Sequence, residues 1–136
     1  EEAKRRFGTE KAADRLAEEG KAALVTYSEK IALLTDSLTI CKNIGLCMDI
    51  LNFENTSVLL KAGTGIDYSP EYLKKILGDS IDRDFKLNRR FGTKREDDTL
   101  PERFQKEPLS EGPTKGSTVN IKRMVDEYYK IHKWGK

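Results

Sequence analysis

The stretch from Lys21 to Cys41 reads KAALVTYSEKIALLTDSLTIC, and its pattern decides the fold. Apolar residues recur in it every three or four positions, the spacing that puts side chains on one face of an α-helix. We therefore predict an amphipathic helix that carries Asp36 near its C-terminal end, with Ile40 on the face of Asp36. The apolar stripe comprises Ala23 or Leu24, Tyr27, Ile31, Leu34, Leu38 and Cys41.

Other segments on both sides of this stretch also have helical patterns. The charged segment Glu1 to Gly20 predicts a short peripheral helix, or a segment that packs on another part of the protein. The apolar residues up to Gly63 predict a second, shorter helix, whose start is obscured by Asn52, Asn55 and Thr56. Ser69-Pro70-Glu71 is a typical helix opening, with a capping hydroxyl, proline at the first helical position and an acid in the first turn. We expect it to begin the longest helix of the chain. Asn120 is predicted to cap a last helix with a face of Ile121, Met124, Val125, Tyr128 and His132.

Between these helices, residues 92–116 have no sustained period and contain Pro101, Pro108, Gly112 and Pro113. They predict a long loop before the last helix, in which Thr99 could cap a single helical turn. No alternating apolar stretch of useful length occurs, so a β-sheet is not expected. The predicted fold is all-α, an irregular helical domain.

The composition excludes several functional classes. The chain has 25 basic and 23 acidic residues, a net charge of +2, with both signs interspersed, so neither nucleic acid nor an acidic membrane is an expected partner. No apolar run reaches the roughly 18 to 20 residues of a membrane span, and the N-terminus is charged. A cytoplasmic protein is expected. Its two cysteines, Cys41 and Cys47, are then expected to be free thiols.

Asp36 and Cys41 could together serve a cofactor. An ionised carboxylate can accept two parallel hydrogen bonds from a flat heterocycle such as a pterin, and a thiolate is the usual ligand of an iron-sulfur cluster. On spacing alone, a solvated acid and a small buried hydrophobic residue remain the more common roles of such side chains.

Asp36-Ser37-Leu38-Thr39-Ile40-Cys41 resembles the second D-x-x-G-L-C signature of the tungsten-containing aldehyde ferredoxin oxidoreductases. Thr39 stands in place of the signature Gly, and Ile40 in place of Leu. Other stretches resemble the C-terminal region of that family in the expected order, so that the resemblance covers most of the chain. These stretches are Gly20-Lys21-Ala22, Thr64-Gly65-Ile66-Asp67-Tyr68-Ser69, the segment from Asp97 to Phe104, Glu111-Gly112-Pro113 and the segment from Asp126 to Tyr129.

The resemblance implies a role for four residues. Asp36 would bind one of the two pterins of a tungsten-bispterin cofactor, with Ile40 and Lys42 beside it, and Cys41 would be one of four cysteine ligands of a four-iron four-sulfur cluster. The other three ligands lie upstream in the family, in a C-x-x-C-x-x-x-C run. The implied activity is oxidation of an aldehyde to a carboxylic acid, with electrons passed to ferredoxin.

Cys47 belongs to a literal Gly-Leu-Cys triplet, but in that register Lys42 would replace the signature Asp, and an ammonium cannot accept a hydrogen bond. We therefore predict Cys41 as the ligand and Cys47 as a core residue. His132, the single histidine, lies on a predicted apolar face, so no role is assigned to it.

We expect residues 1–136 to form a single helical domain, the C-terminal fragment of a larger oxidoreductase. Its partners would be the upstream domains of the same chain, and the isolated fragment would hold neither tungsten nor cluster and be inactive. Two alternatives stay open. One is a helical interaction module without redox function, and the other is a family relative that reduces a ring or thioester substrate.

Overall fold

The computed structural model describes residues 1–48 and 50–135. They form two compact units, one made of Glu1–Thr26 with Gly92–Lys136 and the other of Tyr27–Phe91. Every regular element in these residues is helical, and none of them is in a strand, which confirms the all-α prediction. That the chain is a single domain stays a prediction.

The α-helices differ widely in length, and short helical turns lie between them. The longest, of 21 residues, begins at Pro70, as predicted. No helix in the described part of the chain is long and apolar enough to cross a membrane. The α-helices are α1 (Glu2–Phe7), α2 (Lys21–Ser37), α3 (Phe53–Thr64), α4 (Pro70–Arg90), α5 (Glu102–Lys106) and α6 (Ile121–His132), and the short turns are 3-10 helices at Glu10–Ala13 and Arg95–Asp97 and a π-helical turn at Asn43–Cys47.

Side-chain caps set where α3 and α4 begin. The hydroxyl of Ser69 accepts a hydrogen bond from the backbone N–H of Tyr72 at 3.1 Å, which confirms the predicted start of α4. The side chain of Asn52 accepts one from the backbone N–H of Asn55 at 2.8 Å. Both satisfy N–H groups that have no partner within the helix. Asn52, which obscured the start of α3 in the sequence, is therefore its cap.

The core of the Tyr27–Phe91 unit joins three helices. Ile31 and Leu34 of α2 pack with Phe53 of α3 and with Leu73 and Leu77 of α4, and all five are at most 5% exposed. Burying such a side chain contributes about 1.5–3 kcal/mol, so this cluster is the main apolar contribution to the unit. The predicted stripe of α2 thus contributes Ile31 and Leu34 to this core, and α4 contributes Leu73 and Leu77.

Gly45 lies where the chain after α2 packs closely on that helix. A Cβ atom at this position would be 2.5 Å from Cγ2 of Thr35 and 3.1 Å from Cγ2 of Ile31. Both neighbours are fully buried, so neither can move into solvent to make room. Only glycine fits here without displacing packed atoms.

Gly45→Ala should therefore lower the free energy of unfolding by about 1–3 kcal/mol, because the added methyl group overpacks the contact with Thr35. Gly63→Ala is the matched control, since Gly63 lies in α3 with nothing within 4 Å of an added Cβ. This control should raise stability by about 0.5 kcal/mol through helix propensity. Urea denaturation followed by circular dichroism measures both, and an equal response of the two variants would contradict the close contact.

In the other unit, α6 is held by polar contacts to the segment before α5. The Tyr129 side chain is 4% exposed, and its hydroxyl donates a hydrogen bond to the carboxylate of Asp98. The Arg95 guanidinium lies 4.4 Å from the Tyr129 ring centroid and pairs with Asp126. The predicted apolar face of α6 is only half-buried, and Tyr129, outside that predicted face, is the buried residue of α6.

Aromatic rings cluster at the C-terminal end of α6. Trp134 stacks on the His132 ring at a centroid distance of 4.3 Å and meets Tyr128 and Tyr129 edge-on at 5.5 and 5.9 Å. The Nε2 atom of His132 is 3.2 Å from the hydroxyl of Thr26. The histidine therefore has a structural role in this cluster.

The predicted long loop is more ordered than the sequence suggested. It contains the 3-10 helix Arg95–Asp97 and α5, and Pro101, not Thr99, occupies the N-cap position of α5. The backbone N–H of Val119 donates to the carbonyl of Phe104 at 2.9 Å, which ties the end of the loop to α5. Long-range backbone hydrogen bonds of this kind leave no periodic signal in a sequence.

Candidate functional site

The candidate site is built on the C-terminal end of α2. The N–H of Thr39 donates to the carbonyl of Asp36 at 3.1 Å, and the N–H of Ile40 donates to the carbonyl of Thr35 at 2.9 Å. These two hydrogen bonds, together with the left-handed conformation of Thr39, form the Schellman motif that ends many helices. The helix stops at Ser37, so Asp36 lies in its last turn, as predicted.

Thr39 is the left-handed residue of this cap, with φ at 55°. A β-branched side chain is strained in this conformation, which glycine adopts freely. The D-x-x-G-L-C signature has its Gly at this position, and its Leu at the next, where Ile40 lies. The signature therefore has a physical meaning here, because it encodes a helix end with an acid in the last turn.

The cap corrects two predictions about this segment. Cys41 was expected on the apolar stripe of α2, and Ile40 on the helix face of Asp36, but both lie beyond the helix end. The left-handed turn at Thr39 redirects the chain, so helical spacing does not apply to the residues after Thr39. As a result, the Cys41 thiol is exposed, and Ile40 is half-buried.

The Asp36 carboxylate is exposed to solvent, and Lys42 is its ion-pair partner among the described residues. Nζ of Lys42 is 3.1 Å from Oδ2 of Asp36, and the two side chains are 55% and 54% exposed, respectively. Exposed ion pairs of this kind contribute roughly 0–1 kcal/mol, so the fold does not depend on it. The structure thus brings Lys42 to Asp36, and the thiol of Cys41 is accessible on the same short segment.

Cys47 was predicted to be a core residue, and this prediction is wrong. Its thiol is exposed, and Sγ is 3.5 Å from Oδ1 of Asn43. The buried residue of the Gly-Leu-Cys triplet is Gly45, whose contact with α2 turns the neighbouring side chains outwards. No sequence signal distinguishes a glycine needed for close packing from one that only loosens the chain.

Apolar side chains are also exposed beside Cys41. Ile44, Leu46, Met48 and Ile50 are 36%, 39%, 65% and 52% exposed. An isolated domain gains no stability from such exposure, and several exposed apolar residues within one short segment commonly mark a surface that contacts another protein segment. Sequence analysis did not assign this surface.

The donor atoms fit the implied cofactors in type and in access. A solvent-exposed thiol can ligate iron, and a carboxylate paired with a surface lysine can exchange that lysine for the N–H edge of a heterocycle. Within residues 1–48 and 50–135, however, no group of three or more His, Cys, Asp or Glu side chains could hold a metal ion.

The fold and the site together define an all-α protein chain with an exposed carboxylate and thiol at one capped helix end. A family model described as "Aldehyde ferredoxin oxidoreductase, domains 2 & 3" matches residues 1–136. The chain belongs to the aldehyde ferredoxin oxidoreductase family.

Several curated proteins are similar to the chain. A tungsten-containing aldehyde ferredoxin oxidoreductase of Pyrococcus furiosus is 39% identical over 111 residues, and one of Thermococcus kodakarensis is 36% identical over 113 residues. Each match covers 76% of this chain and 18% of the relative. The chain thus corresponds to about a fifth of the length of these relatives.

Thr39→Gly should raise the free energy of unfolding by about 0.5–1 kcal/mol. The relief of about 1–2 kcal/mol of left-handed strain exceeds the extra backbone entropy of glycine, about 0.5–1 kcal/mol. Ser28→Gly, in the interior of α2, is the control and should lower stability by about 0.5 kcal/mol. A destabilised Thr39→Gly variant in urea denaturation would show that the threonine is not strained.

Asp36→Asn and Lys42→Gln should each change the free energy of unfolding by less than about 0.5 kcal/mol, because the ion pair that they break is exposed. Thermal and urea denaturation of both variants measure the effect. A loss well above about 1 kcal/mol would mean that the pair is needed for folding, and any functional loss in the same variants could not then be assigned to the site.

Proposed function

We propose that this chain supplies one wall of the cofactor site of an aldehyde-oxidising enzyme. In that role Asp36, Ile40 and Lys42 bind a pterin of a tungsten-bispterin cofactor, and Cys41 ligates a four-iron four-sulfur cluster. The observation that carries the proposal is the capped end of α2, which presents the Asp36 carboxylate and, five residues later, the Cys41 thiol, both open to solvent.

The pterin role rests on the chemistry of Asp36 and its neighbours. An ionised carboxylate accepts paired hydrogen bonds from the amino and ring N–H groups of a pterin, which a neutral amide cannot match in strength. Lys42, now 3.1 Å from that carboxylate, would release it and remain close enough to neutralise negative charge. Half-buried Ile40 offers apolar contact beside the ring.

The cluster role rests on the exposed thiol of Cys41. A cuboidal cluster takes four cysteine ligands, so the other three would come from elsewhere in the parent protein. When bound, the two groups would supply oxidation of the aldehyde at tungsten and onward transfer of the electrons. The exposed apolar residues Ile44, Leu46, Met48 and Ile50 would be covered by the segment that carries the missing ligands.

The whole enzyme would convert an aldehyde to a carboxylic acid, with ferredoxin as electron acceptor, in the cytoplasm. The names of the relatives support this proposal, because each is a tungsten-containing aldehyde ferredoxin oxidoreductase. The 136-residue chain alone would hold neither tungsten nor cluster, and it would show no aldehyde oxidation.

The proposal is tested with Cys41→Ser and Cys47→Ser in the full-length protein. Cys41→Ser should lower the iron content per chain and alter the electron paramagnetic resonance spectrum of the reduced cluster, because one thiolate ligand is lost. Cys47→Ser is the matched control, a second exposed cysteine on the same segment, and should retain iron and spectrum. Loss of iron only in the Cys47 variant would assign the ligand to the other cysteine.

Asp36→Asn in the full-length protein tests the pterin role separately. This variant should lose tungsten or pterin, or bind them at least about tenfold more weakly, because a charge-assisted pair of hydrogen bonds is lost. Iron content should change less. Unchanged tungsten and pterin, measured by elemental analysis and by fluorescence of the oxidised pterin, would contradict the assignment of Asp36.

A further inference from the structure

A cleft of about 590 Å³ lies within the unit made of Glu1–Thr26 and Gly92–Lys136, and the proposed cofactor site does not use it. Clefts of about 300–1,000 Å³ with mainly apolar walls and a few polar groups are typical small-molecule sites. Its apolar walls are Leu16, Phe104, Leu109, Val119 and Met124.

Three of these wall residues are exposed to an extent that the fold does not explain. Leu16 is 56% exposed, Phe104 is 55% exposed and Leu109 is 53% exposed. They come from three different segments, and yet all line the same cleft. Covering them removes apolar surface from water, which favours a ligand with an apolar body at about 25 cal/mol for each Å².

Backbone hydrogen bonds hold the walls of the cleft in place. The N–H of Gly116 donates to the carbonyl of Leu109 at 2.8 Å, and the N–H of Val119 donates to the carbonyl of Phe104 at 2.9 Å. The N–H of Asn120 donates to a carboxylate oxygen of Glu18 at 3.1 Å, which ties the loop to the segment before α2. These hydrogen bonds fix the walls of the cleft, so binding need not order them.

Most charged groups around the cleft already have partners. Lys21 donates to the backbone carbonyls of Ala12 at 2.9 Å and of Asp14 at 2.6 Å. Arg103 lies 3.7 Å from the carboxylate of Glu107, so these two charges offset one another. Their presence at the rim therefore does not select a ligand.

Arg15 is the exception. Within the described residues, its guanidinium makes no hydrogen bond or ion pair, although it lines the cleft. A guanidinium offers five N–H donors in a planar fork that matches a carboxylate with two parallel hydrogen bonds. The cleft thus combines an apolar interior with one unused group for a small anion.

We propose that this cleft binds a small organic carboxylate, with the apolar body against Leu16, Phe104 and Leu109 and the carboxylate on Arg15. The inference does not depend on the proposed cofactor site, because none of Asp36, Cys41 and Lys42 lines the cleft. A negative result for carboxylate binding would not affect the proposed cofactor site, and the reverse also holds.

Isothermal titration calorimetry of the 136-residue chain with phenylbutyrate and with its neutral amide, phenylbutyramide, tests the proposal. Phenylbutyrate should bind saturably, about tenfold tighter than the amide, because only the acid can form the charge-assisted pair with Arg15. Equal affinities, or no saturable binding up to about 10 mM, would overturn the proposal.

Variants separate the charge from the apolar walls. Arg15→Gln should weaken phenylbutyrate about tenfold and leave the amide unchanged, whereas Leu109→Ser should weaken both ligands. Arg90→Gln is the matched control, an exposed arginine whose guanidinium makes no hydrogen bond or ion pair with the described residues and which lies in the other unit. Circular dichroism confirms folding of each variant, and an Arg15→Gln protein that binds phenylbutyrate like the native chain would refute the assignment.

Discussion

The structure depends on how α2 ends. Two backbone hydrogen bonds, from Thr39 to Asp36 and from Ile40 to Thr35, close the helix around a left-handed residue. This geometry leaves the side chain of Asp36 on the outside of the last turn and sends Cys41 away from the apolar stripe of the helix. Without it, continued helical spacing would have carried the thiol towards the core.

Thr35 links that helix end to the rest of the Tyr27–Phe91 unit. Its carbonyl accepts the hydrogen bond from Ile40, its hydroxyl donates to the carbonyl of Ala32 at 2.8 Å, and its methyl group contacts the backbone at Gly45. A single buried residue therefore ends the helix and receives the returning chain. Asp36 directly follows Thr35 in the sequence. A single peptide bond therefore connects the exposed carboxylate residue to a residue of the core.

Much of the fold could be predicted from the sequence, because helix starts and apolar periodicity are local signals. Ser69 and Pro70 located α4, and the stripe through Ile31 and Leu34 located α2. The positions of Cys41 and Ile40 could not be predicted in this way, since a threonine gives no local sign of a positive φ. The exposure of Cys47, like the cleft beside Phe104, depends on contacts between segments far apart in the sequence. The family resemblance, and not helical spacing, selected Asp36 and Cys41 as candidate site residues, and their roles stay predictions.

The ring cluster at the end of α6 has a spectroscopic consequence. The sequence contains one tryptophan, Trp134, and its indole lies against His132 and edge-on to two tyrosines. Indole emission from this chain therefore originates in the unit that includes α6, with energy transfer from the adjacent phenols. A change in that emission reports on the environment of this unit, whereas events around α3 and α4 have no indole of their own to reveal them.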